Sequence, residues 1–504
     1  MTRVQSSGTE QAWAALGGDP ALLGRIGFGG PTGALPARLP VLELARSTVA
    51  VCSLAAAELA ARRTRGGAGP VPRVRVDGGA VGTAFLSERH LRIDGRAPTT
   101  FAPLSRFWRT ADGWVRTHAN YPHHRARLLT ALGLPDDTGV DTVAAVFAER
   151  RSAEIEETVY AAGGLAVALR TPEEWASHEQ GAAIAARPLL TLERTEGPGT
   201  VAPRRLCTLS GSPLLPAAGL RVLDLTRVLA GPVATRTLAL LGADVLRIDA
   251  PQLPESQDAH NDTGFGKRSV SLDLRDRAGR ATFEELLADA DVLVTGYRPG
   301  ALEAYGLTPE ALAVRRPGLV LAQVSAWGRY GPWHERRGFD SLVQVATGIA
   351  TLAGSAGAPG TLPAQALDHG TGYLLAAGVL RALSEQHDDG GSRLLRLALG
   401  QTAHWLCNGL PEQPTAGTSE TYEPEKHLGI TDSEMGRLRY ALPPVSFAGG
   451  PADWSRPPGR LAADSPVWGI TAAAIGGTLL TATGPADMSR PPGPHGSLPG
   501  SATA

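Results

Sequence analysis

The chain has 504 residues, of which 43% are hydrophobic and 19% charged, and its 48 lysines and arginines nearly balance its 49 aspartates and glutamates. The resulting net charge of -1 provides no attraction to nucleic acid or to an anionic membrane, so we expect neither as a partner. At roughly 100 to 200 residues per domain, the length predicts two to four domains, each large enough to bury a core.

The cysteines and the first residues bear on the cellular compartment. Cys52, Cys207 and Cys407 lie far apart and form no CxxC pair, which argues against a disulfide framework and a thiolate zinc site. The N-terminal residues MTRVQSSGTEQ are polar and do not have the pattern of a signal peptide. The longest weakly apolar run, at 468–483, is too short to cross a bilayer of about 30 Å as a helix. We therefore expect a cytoplasmic protein.

The N-terminal part is predicted to contain a long helix and a strand. Residues 44–62 are apolar and rich in alanine, a Gly-rich turn follows, and 71–85 begins with alternating apolar residues. The same order of helix, Gly-rich turn and strand returns at 367–406. This order predicts that residues 1–99 are a diverged partial copy of that later part.

Residues 100–195 are predicted to form a small α+β domain. The segment TADGWVRTH at 110–118 is typical of strands joined by a turn, and the apolar spacing at 125–132 and 142–151 indicates helices. A linker rich in Gly, Pro, Ser and Thr follows at 196–217.

Three histidines, His118, His123 and His124, lie around the tripeptide Asn-Tyr-Pro of this domain. A metal site usually needs more ligands in a defined geometry and a supporting shell. We therefore favour a polar turn over a metal site and expect no metal.

Strands and helices alternate in the next part of the chain. The predicted strands are 220–225, 244–248, 269–274, 291–294 and 319–324. A helix begins at Gly231 and Pro232, where proline loses nothing by lacking an N–H. Strands separated by helices need crossover connections, which implies a parallel sheet covered on both faces. The pattern predicts a doubly wound, Rossmann-like α/β fold.

Two motifs in this part bear on a nucleotide. The turn RVLAGP at 227–232 has one glycine where a dinucleotide-binding loop needs G-x-G-x-x-G, so hydride chemistry with NAD is poorly supported. Without these glycines, Asp249 at the end of the second strand is expected to be a solvated strand end and not a ribose-binding acid. Lys267 follows two glycines directly before a strand, an arrangement that can reach a phosphate. Tyr297 and Arg298 follow another strand, at the edge where ligands of such sheets bind.

Asp368 precedes a predicted helix at 370–383. Aspartate is a good N-cap, because its carboxylate satisfies free N–H groups of the first turn. A helix N-terminus also keeps a carboxylate ionised, as a nucleophile requires, so spacing leaves both roles open. In the N-terminal copy the matching position falls near Ala45, and Glu43 is the closest acid.

Taken together, five segments resemble the family III CoA-transferases, the group of formyl-CoA transferase and carnitine CoA-transferase. These segments are 219–249, 266–274, 290–312, 325–348 and 367–383. The resemblance implies transfer of coenzyme A from an acyl-CoA to a small carboxylic acid, through an aspartyl-acyl anhydride and an aspartyl-CoA thioester. Coenzyme A is then a co-substrate, and we expect no tightly bound cofactor.

The resemblance also implies roles for single residues. Asp368 matches the catalytic aspartate, and Asp340 falls where some members carry an acid near the thioester. Six residues expected to bind CoA match positions of the family, namely Val228, Gly231, Lys267, Tyr297, Ala301 and Arg337. Arg298 is added to them because it lies at the carboxyl end of a strand, where ligands of such sheets bind. Phe339 stands where related racemases carry histidine, which argues against racemisation.

Departures from the family pattern leave the acceptor acid and the affinity for CoA open. These departures are Leu229, Gly296 and Ala304. A noncatalytic CoA-binding or scaffold protein and an acyl-CoA isomerase or racemase are the alternative functions. Because family members are interlocked dimers, we expect a homodimer or an internally pseudo-dimeric monomer.

The resemblance completes the predicted organisation. The segments are a diverged partial copy of the core helices at 1–99, the small α+β domain at 100–195, the linker at 196–217, a CoA-binding α/β domain with the catalytic aspartate at 218–410, a C-terminal segment at 411–483 and a disordered tail at 484–504.

Overall fold

A computed structural model describes most of the chain. The described residues are 6–64, 69–99, 101–195, 201–204, 206–253, 255–355, 357–411 and 420–469. The predicted tail at 484–504 lies outside them, as do parts of the predicted linker and of the C-terminal segment.

The helices and strands are numbered in chain order. The α-helices are α1 Gly8–Ala15, α2 Val41–Arg62, α3 Gly78–Ala84, α4 Ser87–His90, α5 Pro122–Leu132, α6 Val140–Ala148, α7 Ser152–Ala161, α8 Pro172–Ser177, α9 Glu179–Ala185, α10 Ala230–Leu240, α11 Gln257–Thr263, α12 Arg277–Ala288, α13 Pro309–Arg315, α14 Asp340–Ala346, α15 Ile349–Leu352, α16 Ala366–Asp389 and α17 Leu399–Asn408. The strands are β1 Ile26–Gly29, β2 Val74–Asp77, β3 Arg92–Ile93, β4 Phe107–Arg109, β5 Trp114–Thr117, β6 Ala166–Ala168, β7 Leu190–Thr195, β8 Arg221–Leu225, β9 Asp244–Asp249, β10 Arg268–Ser271, β11 Val292–Thr295, β12 Val320–Ser325, β13 Ser392–Ala398, β14 Leu428–Ser433 and β15 Gly436–Ala441.

The main sheet has the strand order β10-β9-β8-β11-β12-β13-β7. Its first six strands are parallel, and the order reverses between β8 and β11, as in a doubly wound sheet. All residues of β11 are buried, which is expected where helices cover both faces. The predicted α/β fold is confirmed, and ligands of such sheets bind where the strand order reverses.

One edge of this sheet comes from the N-terminal half of the chain. Strand β7 pairs antiparallel with β13, from Thr195 opposite Ser392 to Leu190 opposite Leu397. The sequence analysis predicted no strand here. β7 covers the backbone N–H and C=O groups that β13 would otherwise leave open at the edge.

The two longest helices, α2 and α16, pack against each other in the core. Arg381 of α16 donates to both carboxylate oxygens of Glu58 in α2 at 2.7 Å, and both side chains are buried. Each helix is followed by a strand and then by a helix, as α2-β2-α3 and as α16-β13-α17. Although α2 is long and apolar enough to cross a membrane, 94% of its most apolar window is buried inside the fold, as expected for a core helix.

The predicted small domain contains the antiparallel sheet β4-β5-β6. Helices α5, α6 and α7 cover it through a separate apolar cluster that includes Leu129, Phe147 and Val159. This packing holds the start of α5 against the rest of the chain, where Tyr121 donates to Glu255 at 2.9 Å. The described residues up to Gly469 pack as one compact unit.

Candidate active site

Two cavities meet at one aspartate near the carboxyl ends of the parallel strands. The first cavity has a volume of about 420 Å³ and the second about 520 Å³. Both are lined by Tyr121, Val228, Phe339 and Asp368. A ligand that fills both cavities would therefore pass the carboxylate of Asp368.

Asp368 lies inside α16, so the N-cap, one of the two roles that spacing left open, is wrong. The helix begins at Ala366, and Gln365 occupies the cap position without a side-chain hydrogen bond. The N–H groups of Leu367 and Asp368 instead donate to Oδ2 of Asp340, at 2.9 and 3.0 Å. Asp340 thus caps α16 from α14, and the carboxylate of Asp368 is not needed for that task.

The carboxylate of Asp368 is nearly buried and accepts no hydrogen bond from the residues that the structure describes. Burial raises its pKa well above the ordinary value, and the nearby charges of Asp340 and Glu88 raise it further. Burial also raises the pKa of Asp340 to about 6, against the effect of its hydrogen bonds. The expectation that the helix start keeps Asp368 ionised is therefore corrected, because desolvation dominates.

We expect Asp368→Asn to raise the melting temperature at pH 8 and to lose this gain towards pH 5. A folded-state pKa above the unfolded value of 3.8 means that ionisation destabilises the fold at high pH. As the pH falls through the raised pKa, the folded wild type takes up a proton that the unfolded chain does not, and gains stability. Calorimetry at both pH values checks this, and an equal shift at both would contradict it.

The loop between β8 and α10 is strained beside Asp368. Val228 has φ +70°, a conformation that is unfavourable for a β-branched residue and costs about 1–3 kcal/mol. At Gly231, a Cβ atom would lie 2.4 Å from the side chain of Thr226. Glycine thus allows α10 to start against the loop, and the packing holds Val228 at the junction of both cavities.

Six of the seven residues expected to bind CoA line the first cavity, namely Val228, Gly231, Tyr297, Arg298, Ala301 and Arg337. Arg127 of α5 lines it as well. Of these residues, Arg127, Arg298 and Arg337 form no ion pair with a carboxylate of the described chain. Burial lowers the pKa of Arg337, and the positive charges of Arg298 and Arg127 lower it further. Converging guanidinium groups without carboxylate partners suit a ligand with phosphate groups.

Lys267 does not line either cavity. Its ammonium group is buried and donates to Asp224 at 3.1 Å, to the carbonyl of Pro232 at 2.9 Å and to Thr235 at 2.6 Å. Burial lowers its pKa to about 8. All three donors of the ammonium group are therefore used within the core, and the structure does not bring Lys267 together with the other expected CoA-binding residues.

Some residues of the cavities were missed by the sequence analysis. Tyr121, His123 and Arg127 come from the small domain, and Glu88 comes from α4. The only sequence signal was the histidine cluster, which was interpreted as a polar turn. Of the three histidines, His118 lines the second cavity, whereas His123 and His124 line the first.

His118 is stacked on Phe339, with ring centroids 3.6 Å apart and the ring planes within 4°. Burial lowers the pKa of His118 to about 3, and the charge of Arg116 lowers it further. His118 is therefore neutral at pH 7 and contributes an uncharged, flat wall to the second cavity. Among the described residues, no group of three or more His, Cys, Asp or Glu side chains is arranged to hold a metal ion.

In the N-terminal copy, Glu43 occupies the third position of α2, as Asp368 does in α16. Its carboxylate accepts from the N–H of Gly8 at 3.3 Å and from Ser47 at 3.1 Å. Glu43 lines neither of the two cavities. Counted from the start of each helix, the residue of the predicted copy that matches Asp368 is therefore Glu43 and not one near Ala45, and its carboxylate serves local structure.

The sequence of this chain is similar to those of known proteins. The sequence profile of CoA-transferase family III matches residues 18–208 and 217–439. Acetyl-coenzyme A transferase nodX from Hypoxylon pulicicidum is 34% identical over 206 residues, which cover 40% of this chain and 35% of that protein. The succinyl-CoA–L-malate CoA-transferase alpha subunit from Chloroflexus aurantiacus is 32% identical over 244 residues, which cover 45% of this chain and 53% of that protein.

A solved structure of a hypothetical protein from Mycobacterium tuberculosis is also similar. It is 33% identical, the match covers 38% of this chain and 56% of that chain, and the TM-score is 0.36. The matched part of this chain spans about a third to about half of the length of the curated relatives named above.

Proposed function

The chain belongs to CoA-transferase family III, and from this membership we propose that it moves coenzyme A from an acyl-CoA thioester to a carboxylic acid. The observation that carries the proposal is the carboxylate of Asp368, which lies at the junction of two cavities and has no hydrogen-bond partner among the described residues. A group in that position is available to react with a ligand that crosses the junction.

The first cavity would hold the CoA moiety. Arg127, Arg298 and Arg337 would bind its phosphates, since these residues line the cavity and form no ion pair with a carboxylate of the described chain. Tyr297 adds a flat aromatic surface to the same cavity, and Ala301 adds an apolar one. The thioester then lies at the far end of the cavity, next to Asp368.

The reaction proceeds by covalent catalysis at Asp368. A carboxylate oxygen attacks the thioester carbon, the C–S bond breaks, and the products are a mixed anhydride and the CoA thiolate. The thiolate then attacks the aspartyl carbonyl carbon, releases the donor acid and leaves an aspartyl-CoA thioester. The acceptor carboxylate repeats both steps in reverse order and restores the free aspartate. No oxidant or reductant is needed, because each step exchanges one acyl bond for another.

Two features prepare Asp368 for this role. Asp340 fixes the first turn of α16 through two backbone N–H groups, which holds the nucleophile in place. The carboxylate of Asp368 accepts no hydrogen bond from the described residues, so its lone pairs are free to attack the thioester when the group is ionised. A noncatalytic CoA-binding protein would need neither feature.

Trapping with hydroxylamine tests the proposal. The protein is incubated with acetyl-CoA, succinyl-CoA or phenylacetyl-CoA together with hydroxylamine, and the peptide that contains Asp368 is examined by mass spectrometry. Both the anhydride and the thioester convert to an aspartyl hydroxamate, so we expect this modification at Asp368 with at least one donor. A protein that binds CoA but forms no hydroxamate with any donor would be a noncatalytic CoA-binding protein instead.

A further inference from the structure

The second cavity suggests which acids the protein uses. We propose that it holds the acyl group of the donor and the body of the acceptor acid, and that this group is uncharged and largely apolar beyond its reacting carboxyl. The inference rests on the proposed function and extends it to the class of substrate.

The position of the second cavity follows from the shared residues. Asp368 lies between the two cavities, with Tyr121, Val228 and Phe339 in both walls. If CoA occupies the first cavity and its thioester carbon lies at Asp368, the acyl group extends into the second. The acceptor acid must bring its carboxylate to the same carboxyl group, so it uses the same space.

Apart from the reacting Asp368, the carboxylates in the wall of the second cavity already have partners. The ion pairs, with their N–O distances, are Asp258 with Arg96 at 2.8 Å, Glu255 with Arg227 at 3.3 Å and Asp262 with Arg236 at 3.3 Å. Glu88 has a hydrogen-bond contact of 3.3 Å with Nε2 of His369. Asp340 accepts two backbone N–H groups of α16. A cationic acyl group would have to replace an existing partner of one of these carboxylates.

Cations for a second carboxylate are also scarce. Arg89 is the one arginine or lysine among the described residues that line the cavity, its side chain is 50% exposed, and its Nε lies 3.8 Å from Glu88. Solvent and the neighbouring acid weaken its attraction to a ligand. His118, which also lines the cavity, is neutral at pH 7 because burial lowers its pKa. The wall therefore favours neither a dicarboxylate nor a cation.

Apolar and aromatic groups supply much of the remaining wall. Leu91, Phe101, Leu229 and the stacked pair of Phe339 and His118 face the cavity. Its volume of about 520 Å³ is in the range that holds drug-sized ligands. A one-carbon or two-carbon acyl group would leave most of this surface without contacts. The surface instead fits a larger, uncharged group such as an aromatic ring.

About half of the lining residues lie between Glu88 and Pro122. These residues precede the parallel sheet in the chain and include the start of the small domain. The N-terminal half would thus determine which acyl group is accepted, while the later α/β part supplies Asp368.

Binding to the Asp368→Asn protein tests the inference without turnover. Affinities for CoA, phenylacetyl-CoA and succinyl-CoA are measured by isothermal titration calorimetry. We expect phenylacetyl-CoA to bind at least about tenfold more tightly than CoA, because its ring leaves water, and succinyl-CoA to bind no more tightly than CoA. Succinyl-CoA that binds as tightly as phenylacetyl-CoA, or an absence of any gain from the phenylacetyl group, would overturn the inference.

Two further substitutions locate the effect. Ala102→Trp fills the second cavity and should remove the gain for phenylacetyl-CoA while leaving the affinity for CoA unchanged. If succinyl-CoA were to bind the Asp368→Asn protein as tightly as phenylacetyl-CoA and Arg89→Gln removed this binding, Arg89 would hold a second carboxylate and the inference would be overturned. If Ala102→Trp fails to fold, Thr99→Trp at the exposed rim serves the same purpose. Failure of CoA itself to bind would overturn the proposed function, and this result differs from all the others.

Discussion

Asp368→Asn is expected to lower the rate of CoA transfer by at least about a thousandfold, as removal of a nucleophile does in other covalent catalysts. An amide cannot form the anhydride, yet it has the shape of the carboxyl group that it replaces. Asp340 holds the backbone of residue 368, so the fold of this turn does not depend on the side chain. We therefore expect the affinity for CoA to change by less than about threefold, because only the reacting group is lost.

Glu43→Gln is the matched control for this substitution. Glu43 has the same position in α2 that Asp368 has in α16, but it lines neither cavity and accepts bonds from Gly8 and Ser47. This variant should keep the wild-type rate, measured by mass spectrometry of CoA exchange between a donor and an acid. An equal loss of activity in both variants, or an active Asp368→Asn protein, would contradict the assignment of the nucleophile.

Lys267→Met is expected to lower the free energy of unfolding by about 3–5 kcal/mol, the usual cost of leaving a buried charge without its partner. Lys267 and Asp224 are both fully buried, with 3.1 Å between Nζ and Oδ2. Asp224 also accepts from Thr235 at 2.6 Å, but these hydroxyl bonds do not neutralise it. Methionine has a similar length and carries no charge, so the substitution leaves the carboxylate of Asp224 uncompensated.

The double variant Lys267→Met/Asp224→Asn is the control. It removes the uncompensated charge and keeps one acceptor oxygen for the two threonine hydroxyls that bond Asp224, so part of the lost stability should return. The midpoint of urea denaturation measures both effects. If Lys267→Met instead weakened CoA binding and left the midpoint unchanged, Lys267 would contact CoA, as the family resemblance implied.

The strands of the parallel sheet could be predicted because each is a short apolar run between turn signals. β8, β9, β11 and β12 were placed within a few residues. β7 could not be predicted in this sheet, since its partner β13 follows about two hundred residues later. Local pattern indicates whether a segment is a strand or a helix, but it does not reveal which distant segment that element pairs with.

The site shows the same limit. The sequence placed Asp368 at the start of a helix, but the group that caps α16 is the carboxylate of Asp340, 28 residues before Asp368. Local spacing could not reveal this cap or the desolvation that raises the pKa of Asp368. The contribution of Tyr121 and Arg127 depends on how the small domain packs, and no local motif encodes that packing.

The pairing of β7 with β13 and of α2 with α16 also determines when the protein can mature during synthesis. A ribosome makes the chain from its N-terminus, so α2 emerges long before its apolar face can meet α16. Until then the apolar side chains of α2 lack this partner, and exposed apolar surface of this kind is what chaperones bind. Because β7 and α2 pack against segments that follow much later in the chain, we expect both to complete their packing only after residues up to 398 have left the ribosome.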